Sequence, residues 1–284
     1  MAERNRIQAM FPQGSEPLEN PIGTAPGIWM RVPRANGEPA SIAAMPGVPS
    51  ELQRMYLEQV VPRLPPATQI IVRAKINCFG LGESHTEELL GELTARGRDP
   101  EVGITASEAT IALRIVAQGN SPEECRRKID QASAEIRERL GTYIFGAEEE
   151  ELEDVVVAML RSRQQTLATI ESGTAGELAR RLFRVPGARE VVRSCQVVAQ
   201  MPSDLLGYAQ DQLEALGVDF VLVAGPEEHR EEGVSVIPTA LVGRKTRVVD
   251  ECPWSGNPAI FLSRTSKAAL DLLRRTMLNQ ADAE

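Results

Sequence analysis

One short stretch, from Thr169 to Glu177, combines residue types that support nucleophilic or anion-binding chemistry. An apolar strand pattern ends there, small and hydroxyl-bearing residues turn the chain, and a helical pattern begins. Such a junction presents backbone N–H groups and the positive end of a helix dipole, which suit a phosphate or an oxyanion. Ser172 is a candidate nucleophile, although a serine needs an adjacent base. The alternative from local sequence alone is that Ser172 or Thr174 only caps the helix.

Two loops near the start of the chain form a second candidate site. Residues 20–27 and 45–51 are rich in glycine and proline, which allow backbone to approach a ligand closely. The candidate ligand contacts there are Gly23, Thr24, Gly47 and Ser50. As bare patterns, the same loops are also typical of ordinary turns.

The cysteine and histidine spacing predicts no metal site. The residues concerned are Cys78, Cys125, Cys195, Cys252, His85 and His229. They are far apart and include no C-x-x-C pair, so a zinc site would need ligands from distant segments. We expect reduced, partly buried thiols and no cofactor.

The composition excludes several classes of partner. The net charge is −9, and a surface of that sign repels phosphate backbones, so we do not expect nucleic-acid binding. No apolar run approaches the roughly 20 residues of a membrane span, and no signal peptide follows Met1. We therefore expect a cytoplasmic protein with no membrane partner.

The order of elements predicts an α/β protein with three domains, at residues 1–66, 67–147 and 148–284. In the second domain, strands are predicted at 69–76 and 110–117, and Ser84 with Glu87 suggests a capping box. A helix with a full set of start signals is predicted from Ser121. The third domain carries predicted strands at 166–170, 218–224, 234–242 and 246–249, with a last helix from Ser266. We interpret the acidic run 148–151 as the first turn of a helix.

Three sets of motifs, in order along the chain, resemble the CinA family. Residues 4–9, 20–27 and 46–51 are similar to the closing third of its molybdopterin-binding-type domain. Residues 79–84 are similar to the start of its KH-like middle domain, and residues 171–176 to the A-E-S-C-T-G-G motif of its carboxy-terminal domain. The resemblance implies a partial molybdopterin-binding-type α/β domain, a KH-like α+β domain and a three-layer α/β domain.

The resemblance also implies a nicotinamide mononucleotide deamidase site in the third domain. In the family the motif serine attacks the carboxamide and releases ammonia, assisted by a tyrosine stretch, a lysine and a later threonine. The resemblance makes Ser172 and Thr174 the catalytic residues. The implied ligand contacts are Glu171, Gly173, Gly176, Ala224, Gly225 and Pro226.

Several family residues are absent from this site. Gly173 stands where the motif has cysteine, Gln200 where the tyrosine is expected, and no lysine occurs between Ser172 and Lys245. No threonine precedes Ala224 from Asp219 onward. A positioned acid or base supplies roughly 10²–10⁴-fold in rate, so this loss is large.

Three functions therefore remain as alternatives. The leading prediction is a CinA-like protein with a degenerate, inactive or altered deamidase domain that retains binding of a small nucleotide-like ligand. The second is an active amidohydrolase that uses Ser172, with His229 or Lys245 as a substitute base. The third is a nucleic-acid-binding KH-like module, which the acidic Glu83 after the glycine turn disfavours. Family chains also have a region before the Arg4-Asn5 segment, so we expect a homo-oligomer that covers an incomplete first sheet.

Overall fold

Helices and strands alternate along most of the chain, which confirms the predicted mixed α/β class. The computed structural model describes residues 10–65 and 69–281. It divides into two units, one within residues 1–68 and one within residues 69–284. The predicted second and third domains both lie within the second unit, and the boundary between them near residue 147 stays a prediction.

The first unit is an antiparallel sheet with one helix. Its elements are β1 (Ser15–Leu18), β2 (Gly27–Val32), β3 (Ala40–Ala44) and α1 (Pro49–Met55), with β2 in the centre of the sheet. A small core of Leu18, Trp29, Met55 and Val60 joins the helix to the sheet. The predicted helix through Val61 ends as an α-helix at Met55 and continues in a wider turn. The molybdopterin-binding type of this unit stays a prediction.

The first half of the second unit is a four-stranded antiparallel sheet with two helices on one face. Its elements are β4 (Ile70–Cys78), α2 (Glu83–Leu90), β5 (Glu101–Ser107), β6 (Thr110–Gly119), α3 (Pro122–Leu140) and β7 (Ile144–Ala147). The strand order is β5-β6-β4-β7. Alternating buried residues of β6, such as Leu113 and Ile115, pack against Ile129 and Ile136 of α3. Sequence periodicity found β4, β6 and α3 but not the more polar β5 or the short β7.

Of two helix starts predicted from capping residues in this half, one is confirmed and one is wrong. Ser121 caps α3 as predicted, since its hydroxyl accepts from the Glu124 amide at 3.1 Å. The predicted capping box of Ser84 and Glu87 is wrong. Gly82 is the N-cap of α2 and no side chain caps it. Ser84 instead lies inside the first turn.

The second half of this unit has three layers, with a five-stranded sheet between helices. Its helices are α4 (Leu152–Ser162), α5 (Glu177–Arg184), α6 (Leu205–Leu216) and α7 (Phe261–Ala281). The strands are β8 (Leu167–Glu171), β9 (Val192–Val197), β10 (Phe220–Ala224), β13 (Pro238–Gly243) and β14 (Thr246–Glu251), and β11 (Glu228–His229) pairs with β12 (Ser235–Val236) in a small hairpin. The sheet order is β14-β13-β10-β8-β9. Helices α4, α5 and α7 cover one face and α6 covers the other.

Two predicted helix starts in this half were wrong by a few residues. The acidic run 148–151 precedes α4, and only Glu151 contributes, as the N-cap that forms a capping box with Asp154. Helix α7 begins at Phe261 rather than Ser266. The Ser266 hydroxyl donates to the Leu262 carbonyl one turn earlier, so its hydrogen-bonding capacity is used inside the helix and not at a cap. In the described ranges, no helix has both the length and the apolar character that a membrane span needs.

Candidate functional site

The predicted serine loop lies at a topological switch point of the five-stranded sheet. Strand β8 runs parallel to β9 on one side and to β10 on the other. The helices that follow β8 and β9, α5 and α6, pack on opposite faces of the sheet. Open α/β sheets bind ligands in the crevice at such a point, beyond the carboxyl ends of the strands.

The two predicted halves of the site meet there. Glu171 and Ala224 are register partners at the ends of β8 and β10. The Ser172 amide donates to the Ala224 carbonyl at 3.0 Å, and the Gly173 amide donates to the Gly225 carbonyl at 2.9 Å. Ser172 is half-buried, whereas Pro226 is exposed. The structure thus joins the serine loop to residues 224–226, although a ligand role for them stays a prediction.

Glu171 is fully buried and acts as the anion at the start of α5. One of its carboxylate oxygens accepts from the Thr174 hydroxyl at 2.6 Å and from the amides of Gly176 and Leu178 at 3.0 and 3.1 Å. The other accepts from the Ala179 amide at 3.0 Å. These amides are the unpaired donors of a helix start, where negative charge is favoured. The carboxylate is committed to the helix, so we place Glu171 as a positioning residue.

Both sequence interpretations of the loop therefore need correction. Ser172 and Thr174 do not cap α5, because Gly176 is the N-cap and makes no side-chain cap bond. Gly176 has φ +94°, a left-handed conformation that glycine adopts without strain. The α5 start is also not an open anion site, because Glu171 already takes its N–H groups. The sequence signal for this arrangement is the acidic side chain of Glu171, five residues before the N-cap Gly176.

The backbone after β10 closes over Gly173. A methyl group built on Gly173 would lie 2.7 Å from the Gly225 carbonyl oxygen and 2.9 Å from the Glu227 amide nitrogen. The same position would be 3.0 Å from Ile237, a residue that the sequence pattern placed inside one continuous strand. Ile237 instead connects β12 to β13. The space beside Ser172 where the family motif has a cysteine side chain is thus filled by main chain.

The two proposed substitute bases differ in position. Lys245 lies in the turn between β13 and β14, two residues after Gly243, which pairs with Phe220 at the opposite end of β10. Four strand steps, about 13 Å, separate that end from Ala224. Lys245 therefore cannot serve as a base for Ser172, and that expectation is wrong.

His229 lies in the segment after residues 224–226. Its side chain is 79% exposed, with Nδ1 3.1 Å from the Ser235 hydroxyl and 3.6 Å from a Glu227 carboxylate oxygen. Gln200, which stands at the expected tyrosine position, is exposed in the loop after β9. That loop passes the site, because the Val198 amide donates to the Glu171 carbonyl at 2.9 Å.

The charged side chains around the site occur mostly in pairs of opposite sign. A depression of about 430 Å³ beside Pro226 is lined in part by Asp204 and Glu228. At the α5 start, hydrogen bonding to Arg180 lowers the pKa of Glu177 below its ordinary value, so this carboxyl is ionised at neutral pH. Arg180 and Arg181 both pair with Glu177, and Arg230 lies 3.9 Å from Glu228, so neighbouring arginines compensate these two carboxylates.

The four candidate residues of the first unit belong to two loops that meet each other. The Gly23 amide donates to the Asn20 side-chain oxygen at 2.9 Å, and the Asn20 amide group donates to Glu51 at 2.6 Å. Thr24, Gly47 and Ser50 are exposed. Ser50 lies in the first turn of α1, whose N-cap is Val48 with no side-chain bond. No contact in the unit assigns these residues a ligand, and their role stays a prediction.

No metal centre was found at either site. Among residues 10–65 and 69–281, no group of three or more His, Cys, Asp or Glu side chains is placed to hold a metal ion.

Comparison with protein families assigns both halves of the second unit. The model of the damage-inducible protein CinA KH domain matches residues 73–146, and that of the CinA C-terminal domain matches residues 149–219. A competence-damage inducible protein of Caldanaerobacter subterraneus is 36% identical over 261 residues, which cover 90% of this chain and 60% of that protein. One of Clostridium botulinum is 31% identical over 305 residues, covering 98% of this chain and 73% of the relative.

A solved structure gives a weaker likeness. The competence or damage-inducible protein of Enterobacter asburiae has 14% identity and a TM-score of 0.38, and its match covers 45% of this chain and 99% of that one. The present chain spans only part of the length of its curated relatives. Two family models in their expected order and relatives that align along almost the whole chain show that this protein belongs to the CinA family.

Proposed function

We propose that this CinA-family protein does not hydrolyse nicotinamide mononucleotide efficiently and retains binding of a small nucleotide-like ligand at the carboxyl ends of β8 and β10. The observation that carries the proposal is the commitment of the Ser172 and Gly173 amides to main-chain carbonyls. Attack by the Ser172 hydroxyl on a carboxamide would create an oxyanion that needs preorganised donors. The amides of the nucleophile and of the next residue are the nearest donors available by chain connectivity.

The loss of turnover that follows from missing oxyanion donors can be estimated. Loss of one oxyanion donor costs about 10²–10³-fold in turnover in serine hydrolases. Here two amides would have to exchange bonds of 3.0 and 2.9 Å for the oxyanion, and the second bond holds the Gly225 turn against Gly173. Stabilising the transition state would therefore disrupt the loop that forms the site.

The missing general base points in the same direction. The chain has four lysines. Lys75 and Lys128 belong to the KH-like half, Lys245 lies at the opposite end of β10, and Lys267 is buried against Thr110. A serine hydroxyl at its ordinary pKa is a weak nucleophile without an adjacent base. No lysine is therefore placed to activate Ser172.

The geometry beside Pro226 supports ligand binding, in contrast to hydrolysis. The switch-point crevice and the depression beside Pro226 offer concave surface, and most side chains that line the depression are apolar. Because Glu171 fills the helix start, the ligand phosphate is expected to contribute little to affinity. We therefore expect the base and ribose of the ligand to provide most of the contacts.

Ammonia release from nicotinamide mononucleotide tests the catalytic part. The full chain and Ser172→Ala are assayed in parallel, with circular dichroism to show that both are folded. We expect equal, background rates from the two proteins. Turnover that requires Ser172 would overturn the proposal. Isothermal titration with the same nucleotide tests binding, and Pro226→Glu is expected to weaken it.

One observation favours the active-enzyme alternative, namely the approach of Glu227 to the His229 ring. A carboxylate beside Nδ1 can orient an imidazole as a general base. If serine-dependent turnover is found, His229→Gln would abolish it under this alternative, whereas His85→Gln, in α2 of the KH-like half, would leave it unchanged.

A further inference from the structure

A cavity lies between the KH-like and carboxy-terminal halves of the second unit. Its volume is about 330 Å³, within the range of small-molecule sites. The lining residues that carry the inference are Phe79, Tyr143, Cys252, Arg264 and Leu272. None of them belongs to the predicted deamidase site. Ile237 also lines the cavity and packs beside Gly173, so the two sites share one wall.

The three carboxylates in the cavity wall are all neutralised by arginines. The pairs are Asp250–Arg275, Asp271–Arg275, Asp271–Arg274 and Glu251–Arg230, with N···O distances of 2.6–3.1 Å. Asp271 pairs with two arginines and Arg275 pairs with two aspartates, which restricts the orientation of both side chains. The wall therefore has no carboxylate left to pair with a further cation.

Arg264 lines the cavity and takes part in none of these ion pairs. Among the side chains that the structure describes, which do not include those of residues 232 and 258, it has no ion-pair partner, and its Nε is buried without a hydrogen-bond acceptor. Its guanidinium stacks on Trp254, with 4.9 Å between the guanidinium carbon and the ring centroid. Stacking fixes the plane of an arginine and leaves its edge available for a bidentate acceptor. A buried donor without an acceptor is rare in native proteins and marks a place where a ligand or water completes the bonding.

We infer that this cavity binds a small monocarboxylate, with its carboxylate on Arg264 and its apolar body against Phe79, Tyr143 and Leu272. One guanidinium matches one carboxylate in charge and in planar geometry. Three arginines match the three wall carboxylates, so Arg264 leaves one uncompensated positive charge, which a monocarboxylate balances and a phosphate dianion exceeds. The apolar side chains bury the rest of the ligand and contribute about 25 cal/mol per Å² of apolar surface removed from water.

Calorimetric titration of the full chain with benzoate, phenylacetate and hexanoate tests the inference. Benzamide serves as the uncharged match for benzoate, and inorganic phosphate as the dianion. We expect saturable one-to-one binding of at least one carboxylate, with affinity at least tenfold lower in Arg264→Gln and no binding of benzamide. Binding of phosphate alone, equal binding of benzamide, or no carboxylate binding would overturn the inference.

Alkylation of Cys252 locates the ligand even if Arg264→Gln does not fold. Cys252 is half-buried in the cavity wall, whereas Cys195 is half-buried on β9, outside the cavity. Saturating carboxylate is expected to slow iodoacetamide modification of Cys252 at least fivefold in the wild-type chain, with Cys195 unchanged. Unchanged modification of Cys252, or equal protection of both thiols, would contradict the assigned position.

Discussion

The buried carboxylate of Glu171 takes the place at the start of α5 that a bound phosphate occupies in many α/β proteins. It accepts hydrogen bonds from three backbone amides and from the Thr174 hydroxyl. An internal anion stabilises the helix permanently, and it also removes the helix start from ligand binding. The residue that the sequence marked as a ligand contact is thus better explained as the residue that closes this subsite.

Glu171→Gln is expected to destabilise the fold. Glutamine keeps one acceptor oxygen for the three bonds to Oε2, but its NH₂ group then faces the Ala179 amide and the negative charge at the helix start is lost, at a cost of about 1–3 kcal/mol in unfolding free energy. Urea denaturation measures the difference. Glu149→Gln is the control, because its side chain is 95% exposed and its loss should change stability by less than about 0.5 kcal/mol. Equal effects of the two substitutions would contradict the assigned role.

Cys78 gives the protein a pH dependence in the alkaline range. Burial raises the pKa of its thiol from 9.0 to about 12, against the opposing effect of Arg137 and Arg274. Below about pH 9 the thiol is protonated in both the folded and the unfolded chain. Between about pH 9 and 12 only the unfolded chain loses the proton, so stability falls with rising pH by up to about 1.4 kcal/mol per unit.

Urea denaturation at about pH 9 and about pH 10 isolates this contribution. The wild-type chain is expected to lose about 1 kcal/mol more across that interval than Cys78→Val, in which the titrating group is gone. Other alkaline groups titrate in both proteins and cancel in the comparison. Parallel pH profiles for the two proteins would show that Cys78 does not carry the effect.

At the scale of elements, the loop after β10 packs against the loop after β8 at Gly173. Gly173→Ala is expected to lower the unfolding free energy by about 1–3 kcal/mol, because the new methyl group would overlap the backbone of Gly225 and Glu227. Thermal unfolding gives the difference. Gly103→Ala on β5 is the matched control, since nothing lies within 4 Å of the added methyl group. Full stability of Gly173→Ala would mean that the loop is not closed.

Elements with strong, regular patterns could be predicted from sequence. The apolar strands β8 and β10 and the capped helix α3 were found with nearly correct bounds. The approach of Ser172 to residues 224–226 was implied by the resemblance to the family motifs, and the parallel pairing of β8 with β10 accounts for it.

Other features depended on tertiary contacts that no local pattern contains. Strand β5 is exposed along most of one side, so its alternation was weak. The turn at Ile237, which divides a predicted strand, is fixed by its packing beside Gly173. The bonds that commit the Ser172 and Gly173 amides depend on the fold of residues 52 positions later, and residue spacing alone could not show them.

At the scale of the whole molecule, the two family domains of the second unit are joined through α7. Lys267 is buried, and its Nζ donates to the Thr110 hydroxyl at 2.6 Å and to Glu151 at 3.1 Å. Arg274 donates to the carbonyls of Thr142 and Ile144. These bonds cross from α7 to the KH-like half, so we expect residues 69–281 to unfold as one cooperative unit.

Hydrogen exchange with Lys267→Met tests this coupling. Removal of the ammonium group is expected to lower the opening free energy of α3 and of α6 by the same amount, about 1–3 kcal/mol. Lys245→Met, in an exposed turn, is the control and should leave both helices unchanged. Loss of protection confined to one of the two halves would show that the domains unfold independently.

The central claim is that the Ser172 loop has lost the donors and the base that amide hydrolysis requires. Ammonia release from nicotinamide mononucleotide, compared between the folded full chain and Ser172→Ala, tests it most directly. The account predicts indistinguishable background rates, because the Ser172 and Gly173 amides are already bonded within the chain. Turnover by the wild-type chain that disappears in Ser172→Ala would contradict it, and would mean that the loop opens to bind an oxyanion during reaction.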